Sequence, residues 1–143
     1  VLCYPKVLKI KTKVAENFQT TIPAIGKETA VILLRHLTDK NFETANKFVA
    51  FAGLSPKIEQ SGTSVNKKGR LSRYGHRQLK RALFMPALVA YRMDAFPQLV
   101  RNLEAAKKPK MIIIVALMRK LAKIAFYIHK TKKPFDKARH QTV

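Results

Sequence analysis

The chain has 143 residues, of which 47% are hydrophobic, enough for one domain with a real core and not a disordered basic tail. Lys and Arg number 29 against 8 Asp and Glu, and the formal net charge of +21 is more than solubility needs, so the natural partner is a polyanion, nucleic acid above all. One cysteine, Cys3, excludes an internal disulfide, and the longest apolar run, Met111–Met118, is too short for a membrane span and is followed at once by Arg119, Lys120 and Lys123. The first residues, broken by Pro5, Lys6, Lys9 and Lys11, do not read as a secretory leader, so a soluble, cytoplasmic protein is expected.

Residues 1–16 read as the end of a linker helix entering from a preceding segment, and residues 17–143 as the domain itself. In "TTIPAIGKETAVILLRHL", Pro23 and Gly26 mark a tight turn and Thr29–Leu37 continues as an apolar helix. The outline is that of a helix-hairpin-helix element. It puts the backbone amides of Gly26, Lys27 and Glu28 at a helix N-terminus, where they and the Lys27 ammonium present positive potential to a phosphate. Phe42, Ala45, Phe48, Val49 and Ala52 then recur at helical spacing, with Gly53 as the C-cap and Pro56 as the stop. These aromatic residues read as core and not as base-stacking platforms.

Periodicity fails from Leu54 to Leu71, where Ser55, Pro56, Ser61, Gly62, Thr63, Ser64 and Gly69 mark a long loop or irregular hairpin. Ser72 is placed to cap a helix starting near Tyr74. Its buried side would be Leu79, Leu83, Met85, Leu88 and Val89, its wet side His76, Arg77, Lys80 and Arg81, and Pro86 should kink it. "FPQLVRNLEAA" sets Pro97 in the first turn of a further helix, and "KMIIIVALMRKLAKIAFYIHK" is a long helix apolar enough for burial on nearly all sides. The polar tail should be anchored only where Phe135 docks. The fold class is mainly α: a compact helical domain with a helix-hairpin-helix element and a long irregular loop.

That loop raises the functional question. In "EQSGTSVNKKGRLSRYGHRQLKRALF", Ser61 is followed by Lys67, Lys68, Arg70, Arg73, Arg77, Lys80 and Arg81, and no acidic residue occurs between Glu59 and Asp94. Gly62 lets a ligand approach the backbone closely. Arg70, Arg73 and Arg77 can make planar, permanently charged contacts to phosphate oxygens. A serine there can shape a phosphate-binding turn or attack the phosphate, and spacing leaves both readings open. Metal chemistry is poorly served: His36, His76, His129 and His140 lack ligand spacing and read as surface or capping residues, and Asp39, Asp94 and Asp136 are too scattered for a two-metal centre. No nucleotide-binding glycine motif is present.

Four ordered blocks, "IPAIGKETAVILL", "FVAFAGLSP", "QSGTSVNKKGRLSRYGHRQLKRALFMPA" and "KPKMIIIVALMRKLAKIAFYIHKTKKPFD", resemble the C-terminal transposase domain of the DEDD-type insertion-sequence transposases, the bridge-RNA-guided recombinases whose relatives include pilin-gene invertases. The resemblance covers roughly residues 17–140. It implies that Ser61, in the block "QSG", is the nucleophile that links covalently to DNA. It implies too that a preceding RuvC-like domain, absent from this chain, supplies acidic residues and a divalent metal, Mg, so that the chain alone is inactive and needs no cofactor of its own. DNA, a guide (bridge) RNA and further copies of the protein are the implied partners. Gly26, Lys27, Lys67, Lys68, Arg70, Arg73, His76, Arg77, Lys80 and Arg81 are the expected nucleic-acid contacts. Ala24 stands where the hairpin of this family has glycine, which puts the phosphate-binding role of that turn in question. A non-catalytic helix-hairpin-helix binding module is the alternative.

Overall fold

The structure is a computed structural model that describes residues 22–57, 60, 61, 65, 66, 70, 71, 74–136 and 138, with the backbone alone given for residues 57, 60, 61, 65, 66 and 70. The expected linker helix over residues 1–16 and the first arm of the expected helical hairpin lie outside the described residues.

The order of elements is α1 (Lys27–Asp39), α2 (Ala45–Phe51), β1 (Pro56–Lys57), β2 (Gln60–Ser61), β3 (Val65–Asn66), β4 (Arg70–Leu71), α3 (Arg77–Arg92), α4 (Pro97–Ala105) and α5 (Lys110–Thr131). The domain is mainly helical, and α5 is its axis, packing against α1, α2, α3 and α4 while α1 also packs on α3. Its composition allows this: Ile113, Ile114, Leu117, Met118, Leu121, Ala122, Ile124, Ala125, Phe126 and Ile128 are all buried. Met111 and Ile112 at its start and Tyr127 near its end are exposed, and Val115 and Ala116 are half-buried. Leu33, Phe48, Leu54, Leu79 and Leu83 complete the fully buried centre, and no polar or charged residue is buried among those described. No described helix is long and apolar enough to cross a membrane.

α3 begins at Arg77 with His76 as N-cap, three residues after the expected Tyr74; Ser72 lies outside the described residues. It buries Leu79, Leu83, Pro86, Ala87 and Ala90. Met85 and Val89, expected on the buried side, are 60% and 38% exposed. The small side chains of Ala87 and Ala90 let the backbone of α3 approach its neighbours, and Met85 is then turned away by about 100° from Pro86. The helix continues through Pro86, whose missing N–H deprives the Ala82 carbonyl of its helical donor. Thr29 of α1 supplies a substitute, its hydroxyl donating to the Ala82 carbonyl at 3.3 Å. This ties α1 to α3 at the point where the α3 ladder is broken.

One device ends three of the helices. After α2, the Gly53 N–H donates to the Ala50 carbonyl at 2.9 Å and the Leu54 N–H to Val49 at 3.1 Å, with Gly53 at φ +73°. The same pair of bonds closes α3 through Asp94 (φ 49°) and α4 through Lys107 (φ 50°), where non-glycine residues adopt the left-handed conformation. At its start, α2 is capped by Thr44, whose hydroxyl accepts from the Lys47 N–H at 3.3 Å. Pro97 opens α4 in the first turn. Beyond α5, Phe135 is half-buried and packs against the core.

Candidate nucleic-acid interface

The segment between α2 and α3 is a doubled-back arm carrying Ser61. Two short antiparallel ladders define it: Pro56 faces Leu71 and Lys57 faces Arg70, then Gln60 faces Asn66 and Ser61 faces Val65. Residues 62–64 join the inner pair. Two residues connect the ladders on one arm, 58 and 59, and three on the other, 67–69, so the registers differ by one. Ser61 is therefore next to the turn, and Arg70 lies opposite Lys57, four residues back along the arm, or roughly 13 Å of extended chain. Lys67, Lys68 and Arg73 lie outside the described residues.

The foot of this arm is closed by two glycines. A Cβ built on Gly75 would lie 2.3 Å from the Cα and 2.5 Å from the N of Gly53, and Gly75 has φ +125°. A Cβ on Gly53 would in turn meet the Tyr74 carbonyl oxygen at 2.5 Å. Only two residues without side chains can cross this closely. The His76 N–H then donates to the Phe51 carbonyl at 2.9 Å, fixing the start of α3 to the end of α2. The sequence flagged Gly53 as a cap only and did not flag Gly75; its position just before a helix in "RYGHR" was the available signal.

His76, an expected nucleic-acid contact, has its ring in a cluster at this foot. The His36 and His76 centroids are 4.2 Å apart, and Phe51 is 5.6 Å from His76. The Lys40 ammonium sits 4.3 Å over the Phe51 ring. His36 Nε2 and His76 Nδ1 are buried without hydrogen-bond partners, as is Nδ1 of His129, so these three are more enclosed than surface residues. Burial pushes the His36 pKa below its ordinary value, and the neighbouring His76, Arg35 and Lys40 add to the effect against Asp39. Burial likewise lowers the His129 pKa, assisted by Lys132.

Arg77, Lys80 and Arg81 lie at i, i+3 and i+4 in the first turns of α3 and so share one face, with Arg77 and Arg81 exposed and Lys80 partly covered beside Gly53. The first turn of α3 has no acidic residue and no side-chain cap. Three cations at the positive end of a helix oppose the helix dipole, and an anion there relieves both. Arg35–Asp39 and Lys47–Glu43 are exposed i, i+4 ion pairs that neutralise little of the net charge. No three metal-capable side chains come together among the described residues.

The second phosphate site expected from the sequence is the turn before α1. The Ile25 N–H reaches back to the Ile22 carbonyl at 3.5 Å, with Pro23 and Ala24 at the corner and Ala24 at φ 70°. Pro then φ > 0 is the type II turn pattern, where glycine is the relaxed choice. Ile22 and Ile25 are buried on either side and hold the corner in place. Gly26 is the N-cap of α1 without a side-chain cap bond, nothing would obstruct a Cβ there, and Gly26 and Lys27 are exposed. Glu28 in the first turn puts a carboxylate beside the amides.

Residues 17–101, which contain this turn, the Ser61 arm and α3, match the model of the transposase IS116/IS110/IS902 family. The chain belongs to this family. Among its relatives are the pilin gene-inverting proteins of Moraxella bovis and Moraxella lacunata, each 40% identical over 124 residues, which is 85% of this chain and 38% of theirs. A 43.6 kDa protein of the insertion element IS110 from Streptomyces coelicolor is 40% identical over 76 residues, 52% of this chain and 18% of that protein. The chain thus spans about two fifths of the length of the pilin gene-inverting proteins, which it matches over most of its own length.

Proposed function

We propose that this chain is the part of a DEDD-type, RNA-guided insertion-sequence recombinase that supplies the serine nucleophile for strand cleavage and exchange. The observation that carries the reading is the position of Ser61 next to the turn of a paired arm, whose foot is locked by Gly53 and Gly75 and whose sequence falls within the family match. In the proposed step, the Ser61 hydroxyl loses its proton and Oγ bonds to the phosphorus of a DNA phosphodiester. The bond from phosphorus to the departing sugar oxygen breaks, and that oxygen takes up a proton. The energy of the bond is kept in the phosphoserine link, so a new strand end can attack it in reverse.

Catalysis of this kind rests on position and on charge placed against the phosphate oxygens. Because Arg70 and Arg77 are spread along the arm and its foot, they hold successive backbone phosphates and do not form one shared clamp on the scissile group. Lys80, Arg81 and the lysines of the arm extend this track for DNA or guide RNA. The corner at Ile22–Gly26 with α1 is proposed as the second half of a helix-hairpin-helix holding a backbone phosphate at the amides of Gly26–Glu28. Mg chemistry belongs in this scheme to the RuvC-like domain, and no step is assigned to a metal on this chain. The assembly acts as a homo-oligomer.

A non-catalytic helix-hairpin-helix module would share the binding half of the scheme. That half is tested by the salt dependence of affinity for a paired duplex, where Arg77→Gln and Arg81→Gln should each lower the slope of log affinity against log salt by about 0.9. An unchanged slope would remove α3 from the interface. Covalent capture at Ser61 separates recombinase from binding module.

A further inference from the structure

Away from the Ser61 arm, a cavity of about 320 Å³ opens between the α1–α2 connection and the C-terminal end of α5, and Asn41, Phe42, Phe126, His129, Lys130 and Lys132 are among its lining residues. Its apolar wall is fixed from behind: the Phe42 ring lies 5.2 Å from Phe48 and 5.3 Å from Phe51. Its rim is cationic, with Lys130 and Lys132 exposed and Lys132 held at φ 56° where α5 ends. The Lys130 ammonium donates to the Glu43 carbonyl at 3.3 Å, joining the two sides, and lies 5.8 Å from the Phe126 centroid. Glu43, also in the lining, has its carboxylate paired with Lys47, which reduces its repulsion of an anion.

An aromatic wall at Phe42, the polar side chains of Asn41 and His129 and two rim cations together select a planar heteroaromatic ring bearing a phosphate. The volume is within the range of small-ligand sites and admits one nucleotide. We propose that this cavity takes a single unpaired nucleotide, its base against Phe42 with an edge toward His129 and Asn41, and its phosphate on Lys130 and Lys132. This rests on the reading of the chain as a nucleic-acid recombinase. A base inside a duplex cannot reach such a cavity, so the nucleotide is one turned out of a helix or lying at a strand junction, or else a free mononucleotide. A recombinase that exchanges strands creates unpaired nucleotides, and a site for one would hold the opened junction.

The test compares the 143-residue chain binding a DNA duplex with one bulged 2-aminopurine and the same duplex fully paired, with 5′-deoxynucleoside monophosphates and inorganic phosphate as competitors. The bulged duplex should bind at least about 5-fold more tightly, as expected for one base stacked on an aromatic side chain. Phe42→Leu should abolish this advantage while paired-duplex affinity changes by less than about twofold, and Lys132→Asn, which suits the left-handed backbone, should reduce it. If Phe42→Leu loses the helical circular-dichroism signal, His129→Gln serves in its place. A mononucleotide that displaces the bulge, where inorganic phosphate does not, supports the same site and assigns it to free nucleotides as well. Equal affinity for both duplexes, or an advantage that survives the cavity variants, overturns the site while leaving the interface on α3 standing. Absence of binding to either duplex overturns both.

Discussion

Thr29→Val keeps the branching of the side chain and deletes the hydroxyl that donates to the Ala82 carbonyl at 3.3 Å. In an unbroken helix that carbonyl would accept from the N–H of residue 86, but residue 86 is proline. The substitution therefore leaves a part-buried acceptor without a partner, at a cost of about 1–3 kcal/mol. Because 3.3 Å is long for a hydroxyl donor, the lower end applies, about 1–1.5 kcal/mol. For a domain of this size that lowers the Tm by about 4 °C. A double-mutant cycle isolates this coupling. In a Pro86→Ala background, the restored N–H can satisfy Ala82, and Thr29→Val should then cost less than about 0.5 kcal/mol, a coupling of roughly 1 kcal/mol. Urea unfolding of the four proteins followed at 222 nm gives the cycle. Equal costs of Thr29→Val in both backgrounds would show that the hydroxyl does not replace the donor missing at Pro86.

Other substitutions test the backbone account. Gly75→Ala places a Cβ against the Gly53 backbone at 2.3 Å with φ +125°, and should cost about 3 kcal/mol or more by thermal or urea unfolding. Gly26→Ala meets nothing within 4 Å and should cost less than about 1 kcal/mol, as the loss of a mild N-cap. Ala24→Gly relieves a left-handed alanine at roughly 1–2 kcal/mol and returns part of it as unfolded-state entropy, so a gain of about 0.5–1 kcal/mol is expected. His36 and His129 take up a proton less readily in the folded chain than at the ordinary 6.5. Just below pH 6.5 the unfolded chain thus binds more protons, and the Tm should fall as pH drops from 7 to 5; replacing both by Gln should flatten that slope.

Much of the helical plan could be read from periodicity because burial in α2 and α5 follows a strong apolar pattern. Phe48, Val49 and Leu117 fall where the spacing puts them, and Pro97 marks the start of α4 by its fixed φ. α3 was only half legible. "RALFMPALVAYR" is apolar on more than one face, and the choice between Leu83–Ala87–Ala90 and Met85–Val89 depends on how closely the helix approaches its neighbours. Its start was misplaced since Ser72 is a good cap by type, whereas the left-handed break at Gly75 sets the boundary. The ring cluster of His36, Phe51 and His76, the Thr29–Ala82 bond and the Gly53–Gly75 crossing join distant segments, and no local pattern encodes such contacts. The left-handed ends at Asp94 and Lys107 carry no glycine to signal them. For the candidate site, the serine and its basic surroundings were legible by residue type, but the separation of Arg70 from Ser61 follows only from the pairing register.

The most direct measurement of the central claim is covalent capture by a longer protein in which this chain follows the proposed RuvC-like domain, mixed with the proposed guide RNA and nicked element-end DNA and resolved on a denaturing gel. The wild type should give a protein–DNA adduct that maps to Ser61, and Ser61→Ala should give none while binding the same DNA with unchanged affinity. An adduct that persists in Ser61→Ala would contradict the account and leave the Ser61 arm a binding element.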